Sequence, residues 1–165
     1  MKHLVVIAEK EELSLVKKLG YEHYPVLITG VGALNVIEAL KDIPRDTVLI
    51  NIGYAGSKDL EPGRFYAVDS TSLYHPNVNY SEPVYGLGYI PFSREEDPED
   101  DSYVYMPKKC YTGTDFVLNT DKKDCLFDME LAYIKALGFD NVIAYKYVSD
   151  NLDLQEYRET LKDEN

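Results

Sequence analysis

No apolar run in this chain approaches the roughly 20 residues that a membrane-spanning helix needs. The opening, MKHLVVIAEKEE, has a short apolar run followed at once by charge, so it reads as a first strand and not a signal peptide. Cysteine is scarce. Cys110 and Cys125 stand apart without a CxxC spacing and read as reduced, buried side chains, which fits a cytoplasmic protein. Positive charge is also short: the net charge is −12, and Lys and Arg form no stripe. A nucleic-acid backbone needs a positive footprint, so that partner class is excluded, as is a membrane. Small, neutral or cationic ligands stay open.

Several sequence signatures are missing as well. Gly30-Val31-Gly32 begins like GxGxxG, but position 35 is Asn, so a dinucleotide site is not supported. There is no GxxxxGK[ST], no GxSxG elbow and no Cys–His signature. His23 and His75 lack metal-ligand spacing with other His or Cys residues. The acidic run Ser93 to Ser102 lacks the DxDxDG order of a calcium loop and reads as a solvated, mobile segment. Neither a metal nor a cofactor is expected.

What is present has the rhythm of an α/β protein. His3 to Ile7 reads as a buried strand, and Glu9 to Leu19 as an amphipathic helix with Leu13, Val16 and Leu19 on one side. Pro25 to Thr29 reads as a strand, Leu34 to Leu40 as a helix, and Thr47 to Ile52 as a strand closed by Gly53-Tyr54-Ala55-Gly56. Phe65 to Ser70 is a further strand after the Pro62-Gly63 turn. Tyr74 to Tyr89 carries tyrosine, proline and glycine in an ordered loop, and order resumes over Tyr103 to Met106 and Cys110 to Thr114. Leu126 to Asp150 then reads strand, helix, strand, with Leu131, Ile134 and Leu137 on one helical face and Gly138 as the stop. A short polar helix, expected to fray, ends the chain from Leu154. Strands alternating with helices argue for a mostly parallel sheet, and the whole chain, 1–165, reads as one domain.

Carboxylates gather at strand ends: Glu9, Glu11 and Glu12 after the first strand, Asp128 and Glu130 before Leu131, and Asp150. Each has an ordinary explanation. Acidic residues suit the first turn of a helix, and Asp150 with Asn151 suits a turn. The pairs Gly30/Gly32 and Gly53/Gly56 likewise suit tight turns or close backbone approach. Ligands of open α/β sheets bind at the carboxyl ends of strands, however. Three carboxylates converging there suit acid–base work at a glycosidic bond.

Eight segments in order carry a resemblance: AEKEEL (8–13), GVGALN (30–35), VLINIGYAG (48–56), PGRFYAVDSTSLYHPNV (62–78), YGLGYIP (85–91), TGTDFV (112–117), DMELAYI (128–134) and YVSDN (147–151). Together they resemble the purine nucleoside phosphorylase/uridine phosphorylase superfamily, most closely its methylthioadenosine/S-adenosylhomocysteine nucleosidases. The resemblance implies a three-layer α/β/α fold with a mixed, mostly parallel sheet, and hydrolysis of a purine nucleoside. It implies that Glu12 positions the attacking water and that Asp150 acts as general acid at the purine. It puts Met129 and Glu130 at the ribose, Phe116 and Val117 at the base, and Tyr54 and Gly56 in the substrate pocket. A homodimer is expected, with Tyr85 to Phe92 at its interface. Phosphorylases of the superfamily hold phosphate with arginines. Here the first loop reads AEKEE, Asn51 stands at one arginine position, and Arg45, Arg64, Arg94 and Arg158 match none. Phosphorolysis and ligand binding without turnover are the rival readings.

Overall fold

The computed structural model describes residues 2–76, 82–88, 97 and 99–163. Most of the acidic run before 99 and the end of the expected dimer surface, 89–92, lie outside the described residues.

The strand β1 (His3–Ile7) lies between β2 (Val26–Ile28) and β3 (Val48–Gly56), parallel to both. β3 in turn runs parallel to β8 (Asn141–Asp150) over nearly its whole length. All nine residues of β3 are buried, which explains why Asn51 is its one strongly polar side chain: a strand covered on both faces has no polar side to show. Glycine does not close this strand, as the sequence suggested; β3 continues through Gly53 to Gly56.

Beyond β8 the sheet turns back on itself. β8 pairs antiparallel with β4 (Phe65–Leu73), which pairs parallel with β6 (Val104–Thr112) and antiparallel with the two-residue β5 (Tyr85–Gly86). β6 pairs parallel with β7 (Cys125–Asp128), and β7 returns to β3 through Gly56 and Phe127. The order β3–β8–β4–β6–β7–β3 is a closed ring, with β1 and β2 extending from β3. The α/β class and the mixed sheet are as expected. The two short ordered pieces expected around 103–114 are one strand, β6.

The expected first helix divides into a single 3-10 turn, Lys10–Glu12, and α1 (Leu13–Lys18). The others are α2 (Ala33–Leu40), α3 (Leu131–Ala136) and α4 (Leu154–Asp163). Gly138, at φ 86°, follows the end of α3 as the sequence predicts. Two clusters form the main core. Val36 and Leu40 of α2 and Leu131 and Ile134 of α3 pack with Leu49, Leu126, Ala144 and Val148. On the other side Leu15 and Val16 of α1 meet Ile50, Ile52, Phe65 and Tyr145, with Leu161 of α4 against them. α4 is therefore docked, and the Thr160 hydroxyl also donates to the Ser149 carbonyl at 2.8 Å. Both cysteines are free and buried.

Candidate active site

Glu12 is built into the chain ends around it. Its Oε1 accepts the N–H groups of Ala8 at 2.8 Å and Glu9 at 3.0 Å, and its Oε2 accepts that of Tyr54 at 2.8 Å. A Cβ on residue 53 would lie 2.6 Å from Oε2, so only glycine lets β3 pass this carboxylate. Burial raises the Glu12 pKa, while the ammonium of Lys146 and the three N–H groups pull the other way.

Asp150 ends β8 at a register shift. Ala55 pairs with Val148 but Gly56 pairs with Asp150, leaving Ser149 as the extra residue. Such irregularities re-aim side chains. Here the Ser149 hydroxyl donates to Asp150 Oδ1 at 2.6 Å and the Leu152 N–H to Oδ2 at 2.9 Å. A Cβ at Gly56 would come within 3.0 Å of Oδ2, so this glycine also serves close approach. Burial pushes the Asp150 carboxyl up to about 6.

Glu130 stands at the start of α3, where its Oε2 accepts the Gly32 N–H at 2.9 Å. Gly32 presents that N–H from φ 88°, a conformation open to glycine. Burial, and then the charge of Asp128, push Glu130 up to about 8. Asp128 keeps the ordinary role weighed for it: its Oδ2 accepts the Leu131 N–H at 2.8 Å at the head of α3. It does more besides. Oδ1 receives the Thr112 hydroxyl at 2.6 Å, and Oδ2 lies 3.0 Å from Lys146 Nζ.

Lys146 is the residue that pattern reading missed. It is 1% exposed in the middle of β8, and burial alone would lower its pKa. The carboxylates of Asp128, Glu130 and Glu12 outweigh burial and raise it. A lysine inside the apolar run Val142 to Val148 was the available signal, because a buried charge needs a partner.

These elements enclose a pocket with about 540 Å³ of empty space, counted out to its mouth. Glu12, Tyr54, Gly56, Phe116, Val117, Met129, Glu130 and Asp150, every position implied by the resemblance, line it. Glu9 and Tyr157 line it too, whereas Glu11 and Asn51 do not. Asn51 is buried behind it and donates to the Val6 carbonyl at 3.0 Å. Tyr54 lines the pocket, with its ring packed edge-on against Tyr147 at 5.9 Å and Tyr157 at 6.3 Å. The site thus combines a carboxylate held by N–H donors with two carboxyls whose pKa values lie near or above neutrality.

No protein-family profile matches the chain, and no curated protein matches it at the sequence level. Solved structures do. The 5′-methylthioadenosine/S-adenosylhomocysteine nucleosidase of Helicobacter pylori aligns with TM-score 0.72 and 14% identity, covering 99% of this chain and 92% of that one. The futalosine hydrolase of the same organism aligns at 0.72 and 13%, with coverage of 99% and 92%. A nucleosidase of the first kind from S. pneumoniae aligns at 0.70 and 18%, with coverage of 99% and 93%. Over almost its entire length, this chain has the fold of those nucleosidases.

Proposed function

We propose that this protein is a nucleosidase that hydrolyses the N-glycosidic bond of a purine nucleoside, of the methylthioadenosine/S-adenosylhomocysteine kind. One observation carries the reading: Glu12, Glu130 and Asp150, from three separate strand ends, line a single pocket whose walls also hold Phe116, Val117 and Met129.

The chemistry follows from the seats. Adenine leaves poorly as an anion and readily once N7 is protonated, and Asp150, with its pKa near 6, holds that proton. As the bond from the anomeric carbon to N9 lengthens, its electron pair moves into the purine and the sugar becomes oxocarbenium-like. Glu12 lies against the sugar, orients a water and takes its proton as the water oxygen bonds to the anomeric carbon. Glu130, protonated or ionised near neutral pH, both gives and accepts hydrogen bonds at the sugar hydroxyls. The products are free base and free sugar.

Phosphorolysis is disfavoured by the same walls. A phosphate dianion needs charge-assisted donors. Among the described residues, those lining the pocket include six carboxylates and no Lys, Arg or His. The test is a panel of nucleosides with chromatographic detection of free base, run with and without millimolar phosphate. Free base with free sugar, at a rate indifferent to phosphate, is expected. Sugar 1-phosphate would mark a phosphorylase, and no base from any nucleoside would leave a binding protein.

A further inference from the structure

Glu9 has no step in the reaction proposed above, yet it lines the pocket. Its Oε2 accepts the Tyr157 hydroxyl at 2.9 Å, a bond that reaches from the end of β1 to α4. The Tyr157 ring meets Phe116 edge-on at 5.5 Å and Tyr54 at 6.3 Å. Phe116, Tyr54 and Tyr157 all line the same cavity as Glu9. A carboxylate in a cavity that aromatic residues also line attracts an organic cation, and aromatic faces, where they meet it, add to that attraction.

The remaining walls reinforce that sign. Asp115, and Glu12 as the general base, add negative charge to that of Glu9. Asp150 carries the proton for the purine, Glu130 is raised to about 8 and Asp128 is paired to Lys146. No cationic side chain is among the described lining residues. Lys146 is buried behind Asp128 and paired to it. A cleft of one sign with low-dielectric walls focuses its potential and draws in ligands of the opposite sign. The net charge of −12 extends the effect outward.

We propose that this site selects nucleosides whose 5′ carbon bears a cationic group, an alkylammonium, and that Glu9 is the residue that selects it. The inference rests on the nucleosidase reading. With the base at Asp150 and Phe116, beside Asp115, and the sugar hydroxyls at Glu130, we give the 5′ end to the lining residues that follow β1 and stand on α4, Ala8, Glu9 and Tyr157. Glu9 is the charged side chain of that group.

Two variants separate selection from a mere latch on α4. Glu9→Gln keeps an acceptor for Tyr157 and removes the charge. Tyr157→Phe keeps the charge and removes the bond. The substrates are 5′-amino-5′-deoxyadenosine, protonated at the assay pH, and neutral 5′-methylthioadenosine. Comparing the ratio of their kcat/KM values between proteins cancels their different intrinsic reactivity. In Glu9→Gln the ammonium-to-methylthio ratio should fall by about tenfold, and in Tyr157→Phe it should stay near that of the unmodified protein. For the ammonium substrate kcat/KM should also fall with rising salt, while the neutral substrate holds steady. A ratio unmoved by Glu9→Gln, or moved equally by Tyr157→Phe, overturns the proposal. If neither compound yields adenine, the nucleosidase reading fails by itself. Calorimetric binding of the same two compounds then decides the charge question: tighter ammonium binding that Glu9→Gln abolishes supports selection, and equal binding overturns it.

Discussion

Glu12 and Asp150 face one pocket from two strand ends, and their depth does not distinguish them, at 5% and 0% exposed. Their donor sets are also alike. Glu12 takes three backbone N–H groups; Asp150 takes a hydroxyl and the N–H groups of Leu152 and Asp153. The sign of the neighbouring charge differs. Lys146 acts on Glu12 and favours its ionised form, whereas the charge acting on Asp150 is that of Glu156, which favours the protonated form. Two buried carboxyls with matched hydrogen bonds can therefore take opposite halves of an acid–base pair. Burial raises both carboxyls, and a lysine on β8 opposes that rise at Glu12.

The most direct way to break the comparison is to remove each proton function in turn. Asp150→Asn and Glu12→Gln should each lower turnover by at least about 10²-fold, the low end for a positioned acid or base. They should differ in stability. An amide at position 12 can still accept from Ala8 and Glu9, but its NH₂ then confronts the Tyr54 N–H. An unmatched buried donor costs about 1–3 kcal/mol. Asp150→Asn can turn its oxygen to the Leu152 N–H and its NH₂ to the Ser149 hydroxyl, which can rotate to accept, so it should melt close to the unmodified protein. Single-turnover rates with urea denaturation curves measure both effects. Near-normal turnover in either variant would strip that residue of its role.

Lys146→Met tests the source of the asymmetry. Removing one partner from a buried ion pair leaves the other charge uncompensated, typically a loss of about 3–5 kcal/mol. Asp128, 3.0 Å from Nζ, is that other charge. Adding Asp128→Asn to Lys146→Met should recover much of the loss, because the pair is coupled. Without the ammonium, Glu12 should also hold its proton to higher pH, so the acidic limb of the rate profile should move upward. A Lys146→Met protein with unchanged melting and an unchanged limb would show that Lys146 does not set the charge state of Glu12.

Much of this was legible in the chain. The helix Leu131–Ala136 and its stop at Gly138, the strand His3–Ile7 and the buried run of β8 follow from local periodicity and glycine, which act over a few residues. Ring closure was not legible, because Gly56 with Phe127 and Phe65 with Tyr147 are pairings between distant segments. The choice of Glu12 over Glu9 and Glu11 came from resemblance; in the structure Glu12 is the one of the three whose carboxylate sits in a cradle of backbone N–H groups. The cradle of Ala8, Glu9 and Tyr54 N–H groups exists only once β3 lies beside the first turn. The Lys146 network was hidden for a related reason. Its members come from β7, α3, β8 and the first turn, and no spacing in sequence brings them together.

Glu130 gives the smallest and most graded test, because a negative and a positive neighbour both act on it: Asp128 raises its pKa and Lys146 lowers it. Burial and Asp128 prevail, moving the group from 4.5 to about 8 in the folded protein. A carboxyl raised on folding binds its proton more tightly in the folded state. Its contribution to stability is therefore complete below the unfolded pKa and is lost as pH rises through the folded one. Asp150 acts in the same direction over a lower range, from 3.8 to about 6. Unfolding free energy should accordingly decline between pH 5 and 8, at up to about 1.4 kcal/mol per pH unit for each proton released, and by a few kcal/mol over the window. Glu130→Gln retains an acceptor for the Gly32 N–H and removes the titration, so most of the decline above pH 6 should vanish in that variant. Asp150→Asn should flatten only the part below about pH 6.5. Urea denaturation at half-unit pH steps reads all three curves. A profile already flat in the unmodified protein would mean that Lys146 outweighs burial and Asp128 and holds Glu130 ionised, and a decline above pH 6 that survives Glu130→Gln would assign it to another raised carboxyl, Glu12.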